Sequence, residues 1–189
     1  MQRQELARRI ATVARLTGRF RLRSGRISDV YWDKYRFESD PVLLDALSEA
    51  LAWRVRHLQF DRFAGLELGG IPLATALALR TGVPCAFVRK EPKAYGTCNL
   101  IEGGVRGGER LLVVEDVITT AGQVVQSVEK LRSLGLEVRE VLCVIDRQAG
   151  GRERLEGIGC RLHALFTVGE LEEAWRSAHA AGSDPATGR

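Results

Sequence analysis

Residues 111–123, LLVVEDVITTAGQ, decide how this chain is read. Four apolar residues, Leu111 to Val114, predict a buried strand with Glu115 and Asp116 at its end. Val117 and Ile118 then lead to Thr119, Thr120, Ala121 and Gly122, and a helix opens near Gln123. A turn of small and hydroxyl residues at a helix N-terminus aims backbone N–H groups and side-chain hydroxyls into one concavity, where the helix dipole adds positive potential. Such a concavity suits a phosphate. The two acids beside it would repel that phosphate unless they face something neutral or cationic, and either the vicinal hydroxyls of a ribose or a magnesium ion meets the need. Neither a G-x-x-x-x-G-K-[ST] loop nor a G-x-G-x-x-G fingerprint is present, which excludes P-loop and dinucleotide readings.

Outward from this stretch the chain alternates short apolar runs with helices. RFAGLELGG (62–70) leads to IPLATALALRTG, PCAFVRK (84–90) to a long loop, and LLVVED through TTAG to QVVQSVEKLRSLG; EVREVLCVID and LHALF close the series. This order predicts an α/β fold with a parallel sheet covered on both faces, because parallel neighbours need crossovers that are usually helical. In such sheets ligands bind beyond the carboxyl ends of the strands. Upstream, residues 5–16 place Leu6, Ile10, Val13 and Leu16 at helical spacing, with Gly18 as the stop. FRLRSGRISDVYWDKYRF (20–37) predicts two strands joined at Ser24-Gly25. Ser39-Asp40-Pro41 opens a helix to about His57 with Leu43, Leu44, Leu47, Leu51 and Val55 inward. The final stretch AHAAGSDPATGR has no apolar periodicity and predicts a frayed end.

At 189 residues, 45% apolar and 28% charged, the composition excludes collagen-like and disordered classes. A net charge of +4 from 28 basic and 24 acidic residues is too balanced to imply a nucleic-acid partner. No apolar stretch approaches the roughly 20 residues of a membrane span, and MQRQELARRI lacks a signal-peptide core, so a cytoplasmic protein with no membrane partner is expected. Cys85, Cys98, Cys143 and Cys160 lack metal-site spacing, so free thiols and no zinc are expected. Only four of the 28 bases are lysines, Lys34, Lys90, Lys93 and Lys130, and two of them stand three residues apart. Lys90 to Gly104 reads as a fifteen-residue lid with Gly96, Gly103 and Gly104 as pivots. Its basic residues suit either a lid over a polyanionic ligand or a solvated surface loop. Gly65 and the pair Gly69-Gly70 allow close backbone approach between a strand and a helix. Arg147 follows a strand; it offers a planar fork for an anionic ligand, or an ion pair with Glu153.

LLVVEDVITTAGQ resembles the phosphoribosyl pyrophosphate (PRPP) motif of the type I phosphoribosyltransferases. GLELGGIPLATALALRTGVPCAFVRKEPKAYGTCNLIEGG, LRSGRISDVYWDKYRF and Asp146-Arg147 widen the likeness to the orotate phosphoribosyltransferase family over most of residues 20–150. The resemblance implies a single domain over 1–180, with a hood at about 18–38, a core at about 40–180 and a disordered tail at 181–189. It implies transfer of the 5-phosphoribosyl group from PRPP to orotate, giving orotidine 5′-monophosphate and pyrophosphate, a step of UMP biosynthesis. It assigns PRPP contacts to Leu68, Gly69, Arg89, Lys90, Lys93, Tyr95 and Glu115 through Asp116, Val117, Ile118, Thr119, Thr120, Ala121 and Gly122 to Gln123. Orotate contacts fall to Arg23, Tyr31, Trp32, Thr119 and Arg147, and catalytic roles to Lys93, Glu115 and Asp116. Magnesium is expected to be held mainly through PRPP, with no direct protein ligand, and the lid to reach across a homodimer. Relatives often carry histidine for Tyr95, glycine for Ala121 and lysine for Gly69 or Arg23. A transferase for another base, or a PRPP-sensing regulator, is the alternative.

Overall fold

The computed structural model describes residues 1–21, 25, 27–91 and 100–180. In chain order these form α1 (Arg3–Ala14), β1 (Arg15–Arg21), β2 (Ile27–Trp32), α2 (Tyr35–Glu38), α3 (Pro41–Val55), β3 (Arg62–Leu66), α4 (Gly70–Thr81), β4 (Cys85–Val88), β5 (Ile101–Glu102), β6 (Arg110–Ile118), α5 (Gly122–Ser133), β7 (Glu137–Asp146), α6 (Gly151–Glu156), β8 (Arg161–Thr167) and α7 (Val168–Ala180). Six strands form one sheet in the order β5-β4-β3-β6-β7-β8, all parallel except the edge strand β5, while β1 and β2 form a separate antiparallel pair. The expected α/β architecture is therefore present, with the hairpin outside the main sheet.

Two cores cover the sheet, and β6 shows how one strand feeds both. Leu112 and Val114 join the cluster built with α1, α3 and α4, whereas Leu111 and Val113 join the cluster with α5 and Leu155. Strand side chains alternate between faces, so the same parity sends Asp116 toward the first core and starts Glu115 toward the second. α3 begins as its residues predict: the Asp40 carboxylate accepts from the N–H groups of Val42 and Leu43 at 2.9 and 3.1 Å, and Pro41 stands in the first turn.

Five expectations need correction. The first helix ends at Ala14, and Leu16 lies in β1 opposite Tyr31, because pairing with β2 outweighs the helical spacing. Residues 35–37 turn into the short helix α2 instead of continuing β2. Glu115 and Asp116 lie within β6, which runs on to Ile118 because β7 supplies a ladder partner out to Asp146. The stretch 90–104 includes the strand β5, too short to leave a periodic signal, with Ile101 opposite Val88. Residues 178–180 of the expected frayed end belong to α7. Residues 181–189 lie outside the described residues, as do Arg23, Lys93, Tyr95, Gly96 and Cys98.

Candidate active site

Strand order reverses between β3 and β6: from β3 the chain goes to one side through α4, and returns to the other side at β6. That switch point is where an open parallel sheet leaves a crevice beyond its carboxyl ends. The β3 side contributes the turn Glu67-Leu68-Gly69, which contains a cis peptide bond between Glu67 and Leu68. Leu68 is exposed, and Gly70 opens α4 so close to β6 that a Cβ there would stand 2.1 Å from the Val114 carbonyl oxygen. Gly69 is tighter still. A Cβ on it would fall 1.5 Å from Oδ2 of Asp116. The close approach expected of these glycines is thus made to the protein's own strand and acid.

Asp116 is fully buried. Its Oδ1 accepts from the Val117 N–H at 2.5 Å, and its Oδ2 is 2.5 Å from Nζ of Lys34, which follows β2. Glu38, on α2, is also buried, with neither carboxyl oxygen accepting from a donor among the described residues. Burial, followed by the adjacent Asp116 charge, pushes the Glu38 carboxyl up to about 9. The same two causes, burial first, raise Glu115 well above the usual carboxylate range. Asp116 and burial act oppositely on Lys34, whose ammonium ends up favoured by its acid partners. Lys34 and Glu38 had no site role in the sequence reading. The available signal was the scarcity of lysine: one of only four pairs with the expected catalytic acid.

The cradle after β6 has the expected form. Thr119 and Thr120 are exposed, and Ala121 takes the left-handed conformation (φ 56°, ψ 11°) before α5. A left-handed alanine is unfavourable by roughly 1 kcal/mol or more. Its methyl, however, is buried in the second core, which returns an energy of similar size, about 0.8 kcal/mol per buried carbon. Gly151 lets the 148–151 turn close on the cradle, since a Cβ there would be 2.6 Å from the Thr119 carbonyl oxygen. Arg147 donates its backbone N–H to the Ile118 carbonyl at 2.8 Å, which sets it beside Thr119. The acid held nearby is Asp146, bound by Arg152.

Across the crevice, the Arg89 N–H donates to the Leu100 carbonyl and the Lys90 N–H donates to the Glu67 carboxylate at 3.0 Å. Nε of Arg89 is buried without a hydrogen-bond partner among the described residues. Leu68, Gly69, Arg89, Lys90, the run from Glu115 to Gln123, and Arg147 therefore share the carboxyl edge of the sheet. Tyr31 and Trp32 part company. Tyr31 is exposed against Phe20, with ring centroids 5.5 Å apart, whereas Trp32 is buried in the first core. The expected pair of pocket aromatics thus has one member free to meet a ligand.

Comparison with known proteins agrees with this arrangement. The phosphoribosyl transferase domain family matches residues 36–160. The chain is 44% identical over 169 residues to an orotate phosphoribosyltransferase of Nocardioides sp., covering 89% of this chain and 94% of that one. It is 45% identical over 154 residues to the orotate phosphoribosyltransferase of Methanocella arvoryzae, covering 82% and 87%. The crystal structure of Mycobacterium tuberculosis orotate phosphoribosyltransferase in complex with PRPP superposes with a TM-score of 0.77 at 30% identity, covering 90% of this chain and 98% of that one. With a phosphate cradle, two acids and the switch-point glycines at one sheet edge, this chain belongs to the phosphoribosyltransferase family, among the orotate phosphoribosyltransferases.

Proposed function

We propose that this protein transfers the 5-phosphoribosyl group of PRPP to N1 of orotate, forming orotidine 5′-monophosphate and pyrophosphate and supplying UMP biosynthesis. The observation that carries the reading is the run Glu115–Gln123 at the switch point, with Arg147 fastened beside it by its backbone. The N–H groups and hydroxyls at the start of α5 receive the 5-phosphate, with the helix dipole in support. Glu115 and Asp116 lie beneath the ribose, where the Asp116 carboxylate favours the positive charge that develops at C1′ as the bond to pyrophosphate breaks, and Glu115, pushed by burial toward its neutral form, hydrogen-bonds a ribose hydroxyl. Arg147 faces the orotate carboxylate, and Tyr31 lies along the ring. Arg89 and Lys90, with Lys93 and Tyr95 from the lid, meet the departing pyrophosphate.

The Asp116 carboxylate is already held by Lys34 and the Val117 N–H, and among the described residues no group of three or more His, Cys, Asp or Glu side chains is arranged to hold a metal. A magnesium ion would be held mainly through PRPP, with Asp116 kept for Lys34 and the Val117 N–H, and would supply charge neutralisation at the pyrophosphate. We further propose a cytoplasmic homodimer whose lid closes over the partner's site; among the described residues no helix is long and apolar enough to cross a membrane. Mixing the protein with magnesium and PRPP, then adding orotate, uracil or a purine base in turn, tests the reading. Pyrophosphate release with orotate alone is expected. Release with an uncharged base and none with orotate would refute it.

A further inference from the structure

Two adjacent acids beneath a phosphate cradle present a charge problem, because the substrate carries a 5-phosphate and a pyrophosphate. The chain holds a cation at that point. Lys34 reaches in from the turn after β2 and sets Nζ 2.5 Å from Oδ2 of Asp116, whose carboxylate occupies space that exists because residue 69 has no side chain. Asp116 is fully buried, and the side chain of Lys34 keeps 29% of its surface exposed, so the pair opens to solvent only through the lysine. Glu38 lies buried against the same acid, with neither oxygen accepting from a donor among the described residues. Burial, then the Asp116 charge, drives Glu38 and Glu115 toward the neutral form, and Lys34 is the cation set directly against Asp116. An ammonium suits this place, since a compact charge on a flexible stem fits where a planar guanidinium would not.

We propose that Lys34 is a positioning residue of the transfer site: through Asp116 it fixes the acid pair beneath the ribose and offsets its charge, so that the polyanionic PRPP is admitted. The inference rests on the transferase reading above. Without Lys34, Asp116 is a buried, uncompensated anion beside the phosphates, an arrangement that buried groups tolerate poorly. The loss therefore falls on PRPP, whereas orotate, bound through Arg147, is affected less.

The test is Lys34→Ala, with Lys34→Gln alongside, assayed for kcat and for the KM of each substrate, with and without ethylammonium. We expect kcat/KM for PRPP to fall about tenfold or more while the orotate KM shifts less than about threefold. Ethylammonium, which can occupy the truncated space, should restore part of the loss in Lys34→Ala, and tetramethylammonium at equal ionic strength should not. A PRPP dependence within about twofold of the parent, or a loss that ethylammonium leaves untouched, would overturn the proposal. So would failure of both variants to fold, which would assign the ammonium to the scaffold. A parent protein inactive with orotate would instead refute the transferase reading, and PRPP affinity by calorimetry on parent and variants would still decide the role of Lys34.

Discussion

A single methyl group at Gly69 should dislodge the charge centre of this protein. In Gly69→Ala the new Cβ starts 1.5 Å from Oδ2 and 2.4 Å from Cγ of Asp116, where ordinary contact begins at 3.4 Å. The carboxylate must retreat by roughly 2 Å, well beyond what a packed side chain yields by small adjustment. Retreat on that scale breaks the contact with Lys34. Overpacking alone is worth about 1–3 kcal/mol, and a broken buried pair about 3–5 kcal/mol, less here because Lys34 can turn to water. A destabilisation of about 3 kcal/mol follows, which for a chain of this length lowers Tm by roughly 6–12 °C and leaves the protein folded at 25 °C. Urea and thermal unfolding measure it, and the control is Gly70→Ala, whose Cβ would meet the Val114 carbonyl oxygen and not the acid. In double-mutant cycles with Lys34→Ala, Gly69→Ala should couple by about 1–2 kcal/mol, because the pair it breaks is already gone, and Gly70→Ala should be additive. If Gly69→Ala unfolds within about 2 °C of the parent, or adds to Lys34→Ala within about 0.5 kcal/mol, the reasoning fails.

Glu38 holds its proton to about pH 9 in the folded protein, through burial and Asp116, while the unfolded chain releases it near 4.5. Stability therefore falls as pH rises between those values; Glu38→Gln, which cannot ionise, should gain on the parent from pH 5 to 8, and parallel pH–stability curves would contradict this. Arg147→Lys keeps charge but loses the planar fork, so the orotate KM should rise about tenfold or more with little change for PRPP; equal losses for both would make Arg147 structural. If Lys93 acts across a dimer, mixing Lys93→Ala with Asp116→Asn chains should restore up to about a quarter of parental activity, because hybrids hold one intact site. Hybrids that form without recovery would place the lid over its own subunit.

Much of this arrangement is legible in local patterns. The apolar runs of β3, β6 and β7, the Asp40-Pro41 cap and the small-residue turn before α5 are short-range signals, and each lies where the sequence predicts. What escapes is tertiary. The Lys34–Asp116 pair joins residues 82 positions apart, and nothing local to DKYRF marks its lysine as an inward cation. Glu38 looks like a helix-surface acid until α2 turns it under β6. Strand β5 has two residues and exists only because Val88 and Phe87 offer it an edge. Gly69 was recognisable as a close-approach glycine, yet its neighbour is an acid of another strand and not a ligand.

These tertiary contacts also connect the hairpin to the proposed active site. Along β2 the side chains alternate, so Tyr31 stays exposed while Trp32 enters the first core, and two residues later Lys34 descends to Asp116. Trp32 anchors the strand; the flanking residues then have little freedom to move independently. The aromatic proposed to lie along orotate and the ammonium that holds the ribose-facing acid are thus mounted on one short segment with a buried pin between them. A displacement of the hairpin that shifts Tyr31 must also strain the Lys34–Asp116 pair. Under the roles proposed for Tyr31 and Lys34, placement of the base and placement of PRPP are tied through the sequence Tyr31-Trp32-Asp33-Lys34, without a separate connecting element.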